Sequence, residues 1–289
     1  KELKEYTIMT EQGKKEITII IAAHKQYRMP DDPVYVPVQV GAACNKDADG
    51  NPVDLGFLKD NSGDNISAKN PHFCELTGLY WAWKNLEADH LGLVHYRRYF
   101  GSPKKTKAKD LYDTILTGEE AERLFEKHRV LVPTRRNYYI ETLYSHYAHT
   151  HYAEHLDETR KIIEELCPEY LGTFDTVMAQ RSGYMFNMCV MDRELMNAYC
   201  EWVFRILFRL EDALKAQESE LSFYQGRFYG RVSEIIFNVW LQHQLETGVL
   251  SKKDICELPC IYTEKVNWLR KGTAFLSAKF LHKRYENSF

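Results

Sequence analysis

The run His95-Tyr96-Arg97-Arg98-Tyr99-Phe100 sets two adjacent arginines between aromatic residues, directly after the apolar segment 91–94. A guanidinium is a permanent planar cation with paired donors, so two of them suit a phosphate. If 91–94 is a buried strand, the arginines emerge at its carboxyl end, where open α/β sheets place ligands. The plain alternative is a strand end carrying solvated arginines. A second cluster, Asn65, Ser67, Lys69 and Asn70, precedes a helix opened by Pro71. The free N–H groups of such a terminus favour an anion, although Asn70 alone accounts for ordinary capping. Asp47-Ala48-Asp49 is a literal DxD, a carboxylate pair of the kind that can hold a divalent cation. It lies in CNKDADGNP, a stretch built for a turn. Histidines 146, 149, 151 and 155 raise the question of a metal. Only 151 and 155 make an i, i+4 pair on a helix, and a polar helix face explains them better. The chain has no GxGxxG after a strand, no GxxxxGK[ST], no HExxH and no GxSxG. Cys256 and Cys260 have no second pair at zinc spacing and read as structural.

These residues need elements to hold them. The run ITIIIAA at 17–23 reads as a strand buried on both faces. A second strand is expected at 34–40, with Pro37 suiting an edge or a bulge. A polar loop over 41–63 leads to one helix over 70–85, and segment 91–94 is a short strand. A helix at 118–129 and a strand at 130–133 follow, and then a helical stretch rich in Tyr and His over 137–166. Residues 183–191 read as a strand with Asn187 as its polar interior residue. Apolar spacing of 3.6 predicts a long helix over 192–215, and 231–247 reads as another, closed by Gly248. Strands alternating with helices, and no linker, argue a single α/β domain with a helical C-terminal half. The 289 residues are 44% hydrophobic and 27% charged, enough for a core. Thirty-eight basic against 41 acidic residues give a net charge of −3, which argues against nucleic-acid binding by the whole chain. No segment reaches the length of a membrane span. The charged start lacks an apolar leader, and seven cysteines, an odd number, argue against a disulfide framework. A reduced, cytoplasmic protein is expected.

The segments DNISAKNPHFCELTGLYWAWKN (64–85) and LGLVHYRRYF (91–100) together resemble a bacterial family first catalogued as domain of unknown function 4422. The likeness extends to IIIAAHK (19–25), SGYMFNMCVMDRELMNAYCEWVFRILFRLE (182–211) and GRVSEIIFNVWL (230–241). Members occur in capsular polysaccharide, exopolysaccharide and O-antigen loci and are taken to be glycosyltransferases. The resemblance implies a GT-A-like α/β fold with a central mostly parallel sheet. It implies a nucleotide-binding half over 17–135, an acceptor half over 136–264 and a tail over 265–289.

It also implies roles. Transfer from a UDP-sugar leaves negative charge on a diphosphate, which a cation must hold. Where related folds carry a metal-binding DxD, this sequence has His95, Tyr96, Arg97 and Arg98, so Arg97 and Arg98, helped by Lys69, are expected to replace an obligatory metal. His95 as a ligand would keep manganese or magnesium in play. His24 and Lys25 fall where the nucleotide base and ribose would lie, and Asn187 could meet sugar hydroxyls. If the reaction inverts configuration, a carboxylate must deprotonate the acceptor. Glu234 is the candidate, with pairing to Arg231 or Arg227 as its plain alternative. Asp192 is explained by an N-cap role. The tail 265–289 carries six Lys or Arg against Glu286, interleaved with Trp and Phe. It suits a peripheral contact with the inner face of the membrane. The implied partners are a UDP-sugar, with galactose or galactofuranose as the hexose, and a lipid-linked oligosaccharide acceptor. Tyrosine and tryptophan content alone would also suit a non-catalytic carbohydrate or sugar-nucleotide binding module.

Overall fold

The computed structural model describes residues 16–218 and 220–264; the basic tail expected at 265–289 lies outside the described residues. The first strand is β1 (Ile17–Ala23), followed by β2 (Tyr35–Gln39) and β3 (Leu58–Lys59). Helices α1 (Asn70–Phe73) and α2 (Leu76–Asn85) lead to β4 (His90–His95) and β5 (Arg98–Phe100). Then come α3 (Gly118–Phe125), β6 (Val130–Pro133), β7 (Arg136–Asn137), α4 (Leu143–Thr150), α5 (Ala153–Leu166), α6 (Leu171–Met178) and β8 (Ser182–Gly183). The chain continues through β9 (Cys189–Asp192), α7 (Arg193–Glu218), α8 (Phe228–Glu246), β10 (Ile255–Leu258) and β11 (Cys260–Tyr262).

The main sheet runs β10-β6-β9-β4-β1-β2-β3, with β5 and β11 branching from β4. Two strands oppose the common direction: β9, antiparallel to both β4 and β6, and the short β5, antiparallel to β4. The sheet is therefore mostly parallel, as expected for a chain that alternates strands and helices. Side chains alternate across it with the period of two that a strand imposes. Ile20, Ala22, Leu91 and Leu93 join the larger core with α2, α5, α7 and α8. Ile19, Ile21, Val94 and Val190 face the smaller core with Ala121 and Phe125 of α3. Thr117 and Glu120 start α3 with a capping box. Pro37 sits opposite Ile21, and β3 pairs only with Val38 and Gln39. The missing N–H of Pro37 therefore falls where no outer ladder needs it. Among the described residues no helix is long and apolar enough to cross a membrane.

Four local expectations are corrected. The helix expected over 70–85 breaks at Cys74, which has φ 54° and ψ −130°. Asn70 therefore is not its N-cap; the amide bonds Cys74 O at 2.7 Å and Thr77 Oγ1 at 3.0 Å, bracing the break. The stretch 137–166 is two helices parted at His151 and Tyr152, preceded by β7, which pairs with β8 from beyond α6. The segment 183–191 is not one strand: Phe186 and Asn187 both have positive φ and form a turn before β9. Finally α8 starts at Phe228, so Glu234 lies in its second turn.

Candidate active site

Strand β4 ends at His95 and reverses through Tyr96 and Arg97 into β5, with His95 opposite Arg98. This tight hairpin sends the two neighbouring arginines to different partners. Arg97 donates to Glu264 at 2.9 Å and lies over the Tyr96 ring. Among the described residues Arg98 has no carboxylate partner. It stacks on Phe186 and Tyr262, and its Nε is buried without a hydrogen-bond partner.

Four further segments gather around Arg98: the break at Cys74, the turn at 186–187, the start of α8 and β7. The break at Cys74 carries Glu75 into the site, where its Oε1 accepts from Asn187 Nδ2 at 2.7 Å. The same Nδ2 donates to Gly230 O at 2.9 Å, while Asn187 Oδ1 is buried with no partner. The amide thus bridges backbone and carboxylate, yet keeps an unmet acceptor. His95 Nε2 lies 2.5 Å from Phe186 O and so carries the proton that it donates. Burial lowers the His95 pKa, Glu75 pulls it back up, and Arg98 adds to the lowering. In neutral His95 the remaining lone pair is then on Nδ1.

The third contributor is the start of α8. Arg227 at its N-cap donates Nε to Cys74 Sγ at 3.0 Å, and burial pushes that thiol up to about 11. Arg231 lies 4.1 Å over the Tyr224 ring, and its Nε is buried without a hydrogen-bond partner. Glu234 follows one turn later. Burial first, then the Glu75 charge, raises its pKa, against a Phe186 backbone hydrogen bond and the charges of Arg231 and Arg98. The fourth segment is β7, whose Arg136 lies over Tyr138. Arg136 and Arg98 both act on the Tyr262 hydroxyl, and Glu234 acts on Tyr138. Among the described residues, Arg98, Arg136, Arg227 and Arg231 make no ion pair with a carboxylate, whereas Arg28, Arg97, Arg129 and Arg160 each do. Two arginines in the first turn of a helix also oppose its dipole, an arrangement that an anion between them would relieve.

The other expected residues are placed as follows. His24 follows β1 with its ring 5.0 Å from Tyr96; partial desolvation by the neighbouring protein, then the charges of Lys25, Arg227 and Arg97, lowers its pKa. Lys25 lies 5.5 Å from the Tyr27 ring. Asn65 and Ser67 belong to a loop brace: Asn65 Oδ1 accepts from Ser67 N at 3.2 Å, and Ser67 Oγ donates to buried Asp60. Lys69 is already neutralised, its ammonium 2.6 Å from Glu211 of α7. Asp47 accepts from the backbone N–H groups of Asp49 and Asn51, so the DxD is a turn. Asp192 caps Leu195 and binds Arg129. His151 and His155 do not share a helix: His151 meets Gln225 and His155 meets Tyr147. His146 and His149 both bind Glu141, which is buried. Among the described residues no three His, Cys, Asp or Glu side chains assemble as a metal site. A separate depression of about 630 Å³ beside β10 has Arg135 and Glu257 paired with each other.

The sequence pattern of the family described as a domain of unknown function (DUF4422) matches residues 18–245. The chain belongs to that family. A solved structure, the apo form of the WbbM bifunctional glycosyltransferase, superposes on the DUF4422 chain with a TM-score of 0.75 and 29% identity. The match covers 87% of this chain and 46% of WbbM, so the chain spans less than half of that relative's length. No curated protein matches it. The sheet order and this match give the DUF4422 chain a GT-A-like fold. Glu75, Arg136 and Tyr262 have no role in the sequence reading, and Arg227 and Arg231 appear there only as possible partners of Glu234. One unused signal for this group lay in the sequence, Arg231 at an expected helix start, where it opposes the dipole. Glu75 gave no signal, because a continuous helix would have turned it away.

Proposed function

We propose that the chain is a glycosyltransferase that moves a hexose from a UDP-sugar to a growing polysaccharide, and we assign it one transfer activity. The reading rests on one observation: four arginines from three distant segments, without carboxylate partners among the described residues, converge around Asn187 and Glu234. Partly buried cations left unneutralised are costly unless an anion completes them. A diphosphate is an anion of suitable charge, and the likeness to WbbM supports its being the leaving group of a sugar nucleotide.

In this reading Arg98 and Arg231 hold the diphosphate, with Arg227 and Arg136 adding field. Arg97, bound to Glu264, closes the hairpin side, and His24, Lys25 and Tyr96 lie toward the nucleotide. Asn187 Oδ1 accepts a hydroxyl of the transferred sugar. The acceptor oxygen attacks the anomeric carbon as its proton passes to Glu234. The anomeric carbon–oxygen bond breaks, and its electron pair stays on the diphosphate. The positive charge that this oxygen needs comes from the guanidinium groups, so no divalent cation is obligatory in the proposal. Glu75 orients Asn187 and raises the basicity of Glu234. The acceptor is a lipid-linked saccharide of the capsular or O-antigen type, met at the inner membrane face. Galactose, as pyranose or furanose, is the first donor to try.

The test is release of UDP from UDP-galactose and related UDP-hexoses by wild-type protein and by Glu234→Gln. UDP release abolished by Glu234→Gln, with UDP binding retained, is expected. Tight UDP binding with no release from any donor, even with acceptor present, would instead make the chain a sugar-nucleotide binding module.

A further inference from the structure

Two exposed aromatic residues adjoin, along the chain, aromatic rings that lie against the arginine cluster, and the chemistry above uses neither. Tyr139 and Phe223 are each 77% exposed. Each follows or precedes an aromatic residue lying under an arginine of the site: Tyr138 is 5.1 Å from Arg136, and Tyr224 is 4.1 Å from Arg231. The two pairs come from different elements, the loop after β7 and the loop before α8. Phe223 also lies 5.9 Å from the Arg227 guanidinium. Tyr139 is held outward by its backbone, with φ 54°, a left-handed conformation that an aromatic residue rarely takes. Arg181 fixes it there, donating from Nη1 to Tyr139 O at 3.1 Å, while Tyr138 N donates to Arg181 O at 2.8 Å. Phe223 offers no polar atom, so its ring face is its whole chemistry.

An exposed aromatic face with a negative quadrupole is suited to the polarised C–H face of a pyranose or furanose ring. Two such faces, one flanking Tyr138 and Arg136 and one near Arg227, suit successive units of a saccharide whose terminal hydroxyl enters toward Glu234. We propose that Tyr139 and Phe223 are the stacking platforms of a saccharide acceptor subsite at the rim of the arginine cluster. This rests on the transferase reading. It adds which residues grip the acceptor and predicts that they do so without touching the nucleotide.

The test uses the full chain, with UDP bound, and octyl glycosides of galactose, glucose, mannose, rhamnose and N-acetylglucosamine and their disaccharides as probes. Saturation-transfer NMR reports glycoside binding, calorimetry reports UDP binding, and circular dichroism checks the fold of Tyr139→Ala and Phe223→Ala. At least one glycoside should bind the wild type, weakened about three- to ten-fold by each substitution, with UDP affinity unchanged. A wild type that binds UDP but no glycoside, or glycoside binding indifferent to both substitutions, overturns the subsite and leaves the transferase reading standing. Variants that keep glycoside affinity but lose binding to phosphatidylglycerol vesicles would make these rings a membrane contact, also overturning it. A wild type that does not bind UDP refutes the transferase reading and this proposal with it.

Discussion

Around Asp60 every polar group is met, whereas around Asn187 several are not. Asp60 is fully buried and accepts from Gly41 N at 2.8 Å, Ala42 N at 3.0 Å, Thr77 Oγ1 at 2.6 Å and Ser67 Oγ. It ties the loops after β2 and β3 to α2 with no donor or acceptor left over. At the end of β4, Arg98 Nε, Asn187 Oδ1 and Arg231 Nε are buried and unmet, and the backbone at Cys74, Phe186 and Asn187 takes positive φ without glycine. Strain and unmet polar groups concentrate where a ligand must complete the structure. The first cluster reads as scaffold and the second as the part that acts.

Substitutions should separate the two. The largest effect is expected from Glu234→Gln: turnover should fall by about 10²–10⁴-fold with UDP affinity retained, measured by UDP release beside calorimetry. Arg98→Ala should cost about 2–4 kcal/mol of turnover or UDP binding and leave the urea midpoint near wild type. Asp60→Ala should do the reverse, costing about 3 kcal/mol of stability in urea unfolding, because it strands the buried N–H groups of Gly41 and Ala42. A stability loss in Arg98→Ala as large as that in Asp60→Ala would erase the distinction. Glu75→Gln should act through charge. Burial and then the Glu75 charge hold Glu234 above the ordinary carboxylate range. A base in that state loses activity as pH falls through its raised pKa. Removing the Glu75 charge lowers that pKa, so the acid limb of the pH–rate profile should move to lower pH; an unmoved limb would separate Glu75 from Glu234. Lys69→Ala, at the satisfied end, should change stability by less than about 1 kcal/mol and leave UDP affinity unchanged.

Much of the scaffold was legible in the sequence, because its signals are local. The apolar run of β1, the 3.6 spacing of α7 and the alternation of strands and helices each follow from neighbouring residues. The site was legible only in part. His95 to Phe100 announced cations at a strand end, but the hairpin that separates Arg97 from Arg98 depends on a two-residue reversal that no glycine marks. A positive φ at Cys74 has no signature in residue type, and at Asn187 the asparagine's tolerance of that conformation was outweighed by the apolar run around it, so the helix break that delivers Glu75 and the turn that frees Asn187 Oδ1 were read as continuous elements. Arg136 joins Arg98 through topology alone. Lys69 looked available because its partner, Glu211, lies far along the chain.

The most direct test is calorimetric titration of UDP into wild-type protein and Arg98→Ala, each with manganese and after EDTA. Wild-type affinity unchanged by EDTA, and at least about ten-fold weaker in Arg98→Ala, is the expected result. UDP binding that requires manganese, or an Arg98→Ala affinity equal to wild type, would contradict an arginine-held diphosphate.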